Sequence, residues 1–248
     1  MFTWAGVERK RRRLSMLEIK NVSSGYGESL ILRDISLKVG SGSLVCVLGS
    51  NGVGKSTLLK TIMGIINPVS GGILWQDENI EKLKGWERTR LGIGYVPQGR
   101  DIFPFLTVHE NLVLGLEAEG LKASRIKKRA AEMYDIFPIL NPIKKRKGGN
   151  LSGGQQQILA IARVLLREPE ILILDEPSEG IQPSIVQQIN DTLGMIKQRG
   201  VSILLVEQYP DFALTHADGY YLMAHGNLTD GGPVTSENRE SIRANIQI

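Results

Sequence analysis

The stretch "GSNGVGKST", residues 49–57, constrains the fold more than any other part of the chain. It leads out of "SLVCVLG", a continuous apolar run of the kind that forms a strand buried on both faces. It leads into "STLLKTIMGI", which reads as a helix. A glycine-rich turn in that place lets successive backbone amides point at one anion, and the helix N-terminus adds partial positive charge. The pattern G-x-x-x-x-G-K-[ST] is met in full and in its proper setting. Lys55 supplies a full charge to the β- and γ-phosphates, and the Ser56 hydroxyl suits Mg²⁺. The expected phosphate-binding set is Gly49, Ser50, Asn51, Gly52, Val53, Gly54, Lys55, Ser56 and Thr57.

The rest of the pattern agrees with such a strand. "EILILDEP", "PSIVQQINDTLGMIKQRG" and "VSILLVEQ" read as strand, helix and strand, which predicts a parallel sheet with helices on both sides. "MLEIKNVSSGYG" and "ILRDISLKV" alternate apolar and polar residues, as half-buried antiparallel strands do. "GGILWQDENI" reads as a strand and turn, and "GIGYVPQ" as a short strand stopped by Pro97. From about residue 105 the pattern turns helical. "TVHENLVLGLEAEG" opens with a capping box, Thr107 with Glu110, and "KASRIKKRAAEMYDIF" is basic and amphipathic. The lysines of "NPIKKRKGGN" read as a solvated face. The expectation is a single α/β domain over residues 16–248. It has a mostly parallel core sheet, an N-terminal antiparallel β subdomain and a helical subdomain inserted at about 99–151.

Composition removes several classes of function. Of 248 residues, 42% are hydrophobic and 23% charged, an ordinary globular balance. The net charge of +4 resides in "ERKRRR", residues 8–13, so the remainder is balanced and offers no general electrostatic case for nucleic acid. Residues 1–15 read as a disordered basic tail. The sharper alternative is contact with anionic lipid headgroups, at about 1 kcal/mol per basic residue. No apolar run approaches the ~18 residues of a membrane span; "ILAIARVLL" is interrupted by Arg163. The basic start has no apolar stretch behind it, so no signal peptide is expected. Cys46 is the single cysteine and sits in an apolar run, which predicts a buried strand position. His109, His216 and His225 form no metal-ligand pattern and are expected at ordinary surface positions.

Chemistry enters at strand ends. "ILILDE" ends in Asp175 and Glu176, and at the exit of a parallel strand such side chains face the ligand crevice. Asp175 would hold Mg²⁺ and Glu176 would polarise an attacking water. Gln98, in "YVPQGR", is either a surface amide or a contact to Mg²⁺ or water that reports the γ-phosphate. Tyr26, in "GYGES", either packs on its neighbours or stacks on a base. "LSGGQQQ", residues 151–157, is a second anion-binding helix start, with Ser152 as N-cap and two glycines behind it.

Together, Tyr26, "GSNGVGKST", Gln98, "LSGGQ" and "ILILDEP" resemble the ATP-binding cassette family in order and spacing, over residues 16 to about 230. The resemblance implies an ATPase with ATP and Mg²⁺. It also implies a head-to-tail dimer, in which Ser152, Gly153, Gly154 and Gln155 bind the nucleotide held by the partner. Catalytic roles then fall to Lys55, Glu176 and Gln208. Two positions depart from the common pattern: Gln208 stands where most cassettes have histidine, and "EGIQP" places Gln182 where most have aspartate. These features resemble the subunits that energise importers of branched-chain amino acids and of urea. "VPQGRDIFPFLTVHENL", "EGIQPSI" and "VEQYPDFA" look closer to the urea subunits. Implied partners are a second ATPase subunit, generally a different chain, two transmembrane permeases and, indirectly, a solute-binding protein. The implied location is peripheral, on the cytoplasmic side of the inner membrane. Soluble cassettes of DNA repair fit less well: Lys55 and Ser152 are 97 positions apart, with no cysteine between them for a zinc insertion. Translation relatives usually carry two cassettes. A P-loop kinase or GTPase leaves "LSGGQ" unexplained.

Overall fold

Strands β3 (Leu44–Leu48), β7 (Ile171–Asp175) and β8 (Ser202–Glu207) are buried along their whole length. Their two-residue period sorts the side chains. Val45, Val47, Ile171, Ile173, Leu204 and Val206 point to one face of the sheet, and Leu44, Cys46, Leu48, Leu172, Leu174, Ile203 and Leu205 to the other. At roughly 1.5–3 kcal/mol for each fully buried aliphatic side chain, this double burial is the main drive for the sheet. Here and throughout, the computed structural model describes residues 16–246; the expected tail at 1–15 lies outside the described residues.

The central sheet has the order β10-β9-β3-β8-β7-β6, with β6 (Ile93–Val96), β9 (Gly219–Ala224) and β10 (Asn227–Pro233). All pairs are parallel except β9 with β10. A second, antiparallel sheet is formed by β1 (Leu17–Tyr26), β2 (Ser29–Val39), β4 (Pro68–Trp75) and β5 (Glu78–Asn79), in the order β2-β1-β4-β5. One face of the central sheet packs on α5 (Gly153–Leu165) and α6 (Pro183–Gln198), joined by α3 (Val108–Ala118) and α4 (Ala123–Ile136). The other face carries a helix, as the sequence predicts, and a second cover besides. There α1 (Lys55–Ile62) shares the core with the antiparallel sheet, whose Leu17, Ile19, Leu37 and Ile73 point inward.

Helices α3 and α4 lie between β6 and α5. The capping box that opens α3 is present: Thr107 Oγ1 accepts from the Glu110 amide at 3.2 Å, and Glu110 Oε2 accepts from the Thr107 amide at 2.7 Å. Helix α4 buries Ile126, Ala130 and Met133, an i, i+4, i+7 stripe under a charged outer face. Three short helices went unread in the sequence: α2 (Gly85–Arg90), α7 (Pro210–Leu214) and α8 (Arg239–Ile246). Helix α2 is held by fully buried Arg88, which donates to the carbonyls of Thr61 and Ile62 at the end of α1, and to those of Glu81 and Leu83. A cation there also complements the α1 dipole.

Cys46 is buried, as expected. His109 and His225 are exposed, but His216 departs from the expected surface position. It is half-buried, its Nε2 has no hydrogen-bond partner among the described residues, and a Cβ on Gly194 would lie 2.9 Å from that atom.

The register fixes where chemistry can gather. Leu48 pairs with Glu207, Val206 with Asp175, and Leu174 with Val96. Four parallel strands therefore end together, and the loops after β3, β6, β7 and β8 open along one edge.

Candidate active site

The turn after β3 depends on its glycines. A Cβ on Gly49 would lie 2.4 Å from the Met223 carbonyl, and Gly54 has φ 113°, in the left-handed region. The β9–β10 turn supports the loop from outside, through Gly226 N–H to the Val53 carbonyl at 2.9 Å. Ser50, Asn51 and Gly52 are exposed at the rim, while Thr57 is buried on α1. Lys55 opens α1 and is nearly fully buried. Its Nζ donates to the carbonyls of Gly49 and Ser50, both at 2.9 Å, and to Glu176 Oε1 at 2.8 Å.

Ser56 Oγ donates to Asp175 Oδ1 at 3.2 Å, and the Tyr95 hydroxyl to Asp175 Oδ2 at 3.4 Å. Burial raises the Asp175 carboxyl above its ordinary range, against the bond from Ser56, which lowers it. The Tyr95 hydroxyl is raised too, first by burial and then by the Asp175 charge beside it. A desolvated carboxylate and a hydroxyl within hydrogen-bond distance are hard oxygen donors, and the pair fits a small divalent cation that keeps most of its own waters.

Glu176 follows β7 directly, with φ 47°, an uncommon conformation for a side chain of this kind. Its other oxygen, Oε2, accepts from Gln98 Nε2 at 3.2 Å, and the same nitrogen donates to Glu179 Oε2 at 2.8 Å. Gln98, Lys55, Ser56, Asp175 and Glu176 thus meet at the sheet edge.

Four expected residues stand apart from that cluster. Ser152 caps α5: its Oγ accepts from the Gln155 amide at 3.3 Å, and Gln155 Oε1 accepts from the Ser152 amide at 3.1 Å. No hydrogen bond or ion pair joins residues 152–155 to residues 49–57 among the described residues. The two glycines behind Ser152 also serve neighbours in the same chain. A Cβ on Gly153 would lie 3.0 Å from Arg100 Nη1, and one on Gly154 would lie 2.8 Å from Ile185 Cγ2.

Tyr26 ends β1, opposite Ser29, and is 51% exposed. Gln208 follows β8 at the same edge as Glu176. Its amide donates to Glu207 Oε2 at 3.0 Å, and its side chain makes no hydrogen bond among the described residues. Gln182 is the N-cap position of α6; its carbonyl accepts from the Ile185 and Val186 amides, and its side chain makes no cap bond among the described residues.

Sequence reasoning missed Glu207, Glu179 and Arg100. Glu207 is 1% exposed and accepts from the Ser178 hydroxyl at 2.7 Å and the Ser178 amide at 3.0 Å, besides the Gln208 and Tyr209 amides. Burial raises its carboxyl, opposed by those bonds. An acid ending an apolar strand was the available signal, the same that revealed Asp175. Arg100 donates to the Glu179 carbonyl at 3.3 Å and to Gln156 Oε1 at 3.5 Å. No local pattern marks that contact, because its partners come from the turn after β7 and from α5.

Known proteins are similar to this chain in sequence and fold. The family profile described as ABC transporter matches residues 32–179. The branched-chain amino acid transport ATP-binding protein BraG of Pseudomonas aeruginosa is 38% identical over 213 residues, covering 86% of this chain and 91% of that protein. The lipopolysaccharide export ATP-binding protein LptB of Escherichia coli is 33% identical over 223 residues, 90% of this chain and 92% of that protein. A dimeric ATP-binding cassette in a post-hydrolysis state, bound to ADP and phosphate, superposes with a TM-score of 0.80 at 26% identity. That match covers 89% of this chain and all of the other.

Proposed function

The chain belongs to the ABC transporter family as an ATPase, and from that premise we propose that it energises an importer of the branched-chain amino acid branch. The observation that carries the mechanism is the meeting of Lys55, Asp175 and Glu176 at the exits of β3 and β7, the two strands that flank β8. Lys55 and the amides of residues 49–57 hold the phosphates of ATP. Ser56 and Asp175, with Gln98, would hold Mg²⁺, which would offset phosphate charge. Glu176 accepts a proton from water as the water oxygen attacks the γ-phosphorus. The bond from that phosphorus to the bridging oxygen breaks, leaving ADP and phosphate. Gln208 orients the attacking water, and Tyr26 stacks on the base.

Ser152, Gly153, Gly154 and Gln155 bind the γ-phosphate held by a partner cassette. What supports this is their separation from the chain's own phosphate loop, together with the dimeric form of the solved relative. The partner is a second ATPase, a different chain in this branch. No helix among the described residues is long and apolar enough to cross a membrane, so two permease subunits supply the path and a solute-binding protein delivers the cargo. They hold the chain on the cytoplasmic face of the inner membrane. Exposed Phe103 and Phe105, on the segment between β6 and α3, offer the permease an apolar contact.

The first cargo reading is a branched-chain amino acid, supported by the likeness to BraG. The second is urea or a short-chain amide, favoured by the loops "VPQGRDIFPFLTVHENL", "EGIQPSI" and "VEQYPDFA". Purifying the chain with its membrane partners, and measuring ATP-driven uptake of labelled leucine and urea into proteoliposomes, separates them. Uptake of neither, with efflux of a lipid instead, would remove the importer reading.

A further inference from the structure

One amide nitrogen, Gln98 Nε2, serves two carboxylates. It lies 2.8 Å from Glu179 Oε2 and 3.2 Å from Glu176 Oε2. The two acids differ in setting. Glu176 is buried and its second oxygen is held by Lys55 at 2.8 Å, so both of its oxygens are engaged. Glu179 is exposed and forms no ion pair among the described residues, so its charge is carried by solvent and by the Gln98 amide. Both acceptors are carboxylates, which strengthen a hydrogen bond, and the shorter contact is the one to Glu179.

Glu179 is held by its main chain rather than its side chain. Its amide donates to the Glu176 carbonyl at 3.2 Å, closing a tight turn, and its carbonyl accepts from Arg100 Nη2 at 3.3 Å. Arg100 lies two residues after Gln98, with φ 64°, in the left-handed region. The loop after β6 and the turn after β7 are therefore joined twice, by Gln98 and by Arg100.

We propose that Glu179 is a positioning residue that shares the Gln98 amide with Glu176 and so weakens its hold on Glu176 Oε2, the oxygen that takes a water proton. The proposal rests on Glu176 acting as the base. Without Glu179 the amide keeps one carboxylate acceptor, Glu176, and its undivided hydrogen bond falls on Oε2 of the base.

The test is a set of variants of the full chain in its assembled dimer. Glu179→Ala lowers kcat about tenfold, the effect of one hydrogen bond on a barrier, with KM for ATP within about twofold. Glu179→Gln, which keeps an acceptor oxygen on the same stem, restores most of the rate. In a Gln98→Ala background, Glu179→Ala has no further effect on kcat, because the group it acts through is gone. In the nucleotide-free chain, Glu179→Ala speeds amide hydrogen exchange at residues 99–102 while the global unfolding free energy stays the same. Unchanged kcat in Glu179→Ala, no rescue by Glu179→Gln, or a full additional loss in the Gln98→Ala background overturns the proposal. Glu176→Gln is measured alongside. Near-normal turnover there overturns the base and the proposal together, whereas a slow Glu176→Gln with an additive Glu179 effect overturns the positioning role alone.

Discussion

Lys55 Nζ lies 2.8 Å from Glu176 Oε1, with both side chains almost withdrawn from solvent. The ammonium has three protons, and the carbonyls of Gly49 and Ser50 accept the other two. A phosphate can reach Lys55 only by displacing one of these acceptors. The carbonyls are neutral and locked in the loop, so the exchangeable partner is Glu176. Under the proposed mechanism, binding of ATP would thereby release the group that acts as base.

The pair is tested first through stability. Lys55→Ala leaves a buried carboxylate without its cation, at a cost of about 3–5 kcal/mol. Adding Glu176→Gln removes that charge and restores at least ~1 kcal/mol, so the double variant unfolds at higher urea than Lys55→Ala alone. Equal midpoints would show that the pair contributes nothing. Glu176→Gln by itself should bind ATP, lose at least ~10²-fold in hydrolysis, and accumulate as an ATP-bound dimer in gel filtration.

Ser152→Arg puts bulk and charge at the start of α5. That helix start has no bond to the chain's own phosphate loop among the described residues. Nucleotide affinity of the single chain, measured by fluorescence titration, should barely change while dimer turnover collapses. Loss of affinity in the monomer would contradict action on the partner's nucleotide.

Glu207 gives a pH signature. Burial raises its folded carboxyl above the ordinary value near 4.5. In the window between the two values the folded chain binds more protons than the unfolded one, so stability falls as pH rises through it. Glu207→Gln cannot titrate. The stability of the wild type relative to this variant should therefore fall from acid toward neutral pH, by about 1.4 kcal/mol per tenfold change in proton affinity. Urea unfolding at several pH values reads this; a constant difference would mean that the bonds from Ser178, Gln208 and Tyr209 cancel the burial cost.

Gln208 ends at the same edge as Glu176, and glutamine does not titrate near neutrality. Turnover should show no limb near pH ~6.5 from this position. Gln208→Ala should slow hydrolysis by about 10–10³-fold, with little change in ATP affinity. Equal rates under saturating Mg-ATP would mean that the side chain stays outside the reaction.

What could be read from the sequence was local. Strands β3 and β7 announced themselves as unbroken apolar runs, and α3 by Thr107 and Glu110 three positions apart. Helix α2 could not be read this way. It has six residues and no apolar stripe, and it is held by the long-range bonds of Arg88. The second cover of the central sheet was hidden for a related reason: the antiparallel strands are half-buried in either arrangement, and their pattern does not say against what. At the site, Lys55, Ser56, Asp175 and Glu176 lay in recognisable runs. The sharing of Gln98 between Glu176 and Glu179 joins positions 78 and 81 residues apart, and no spacing within either run records it.

The neighbours of β3 carry a consequence for how the chain is made. Strand β3 ends at residue 48, yet the strands on either side of it are β8 and β9, and the brace on Val53 comes from Gly226. On a ribosome the phosphate loop emerges early but waits for more than 150 further residues before its flanking strands exist. A nascent or truncated chain holds the motif without the pocket. The chain therefore has no means of consuming ATP until its synthesis is nearly done.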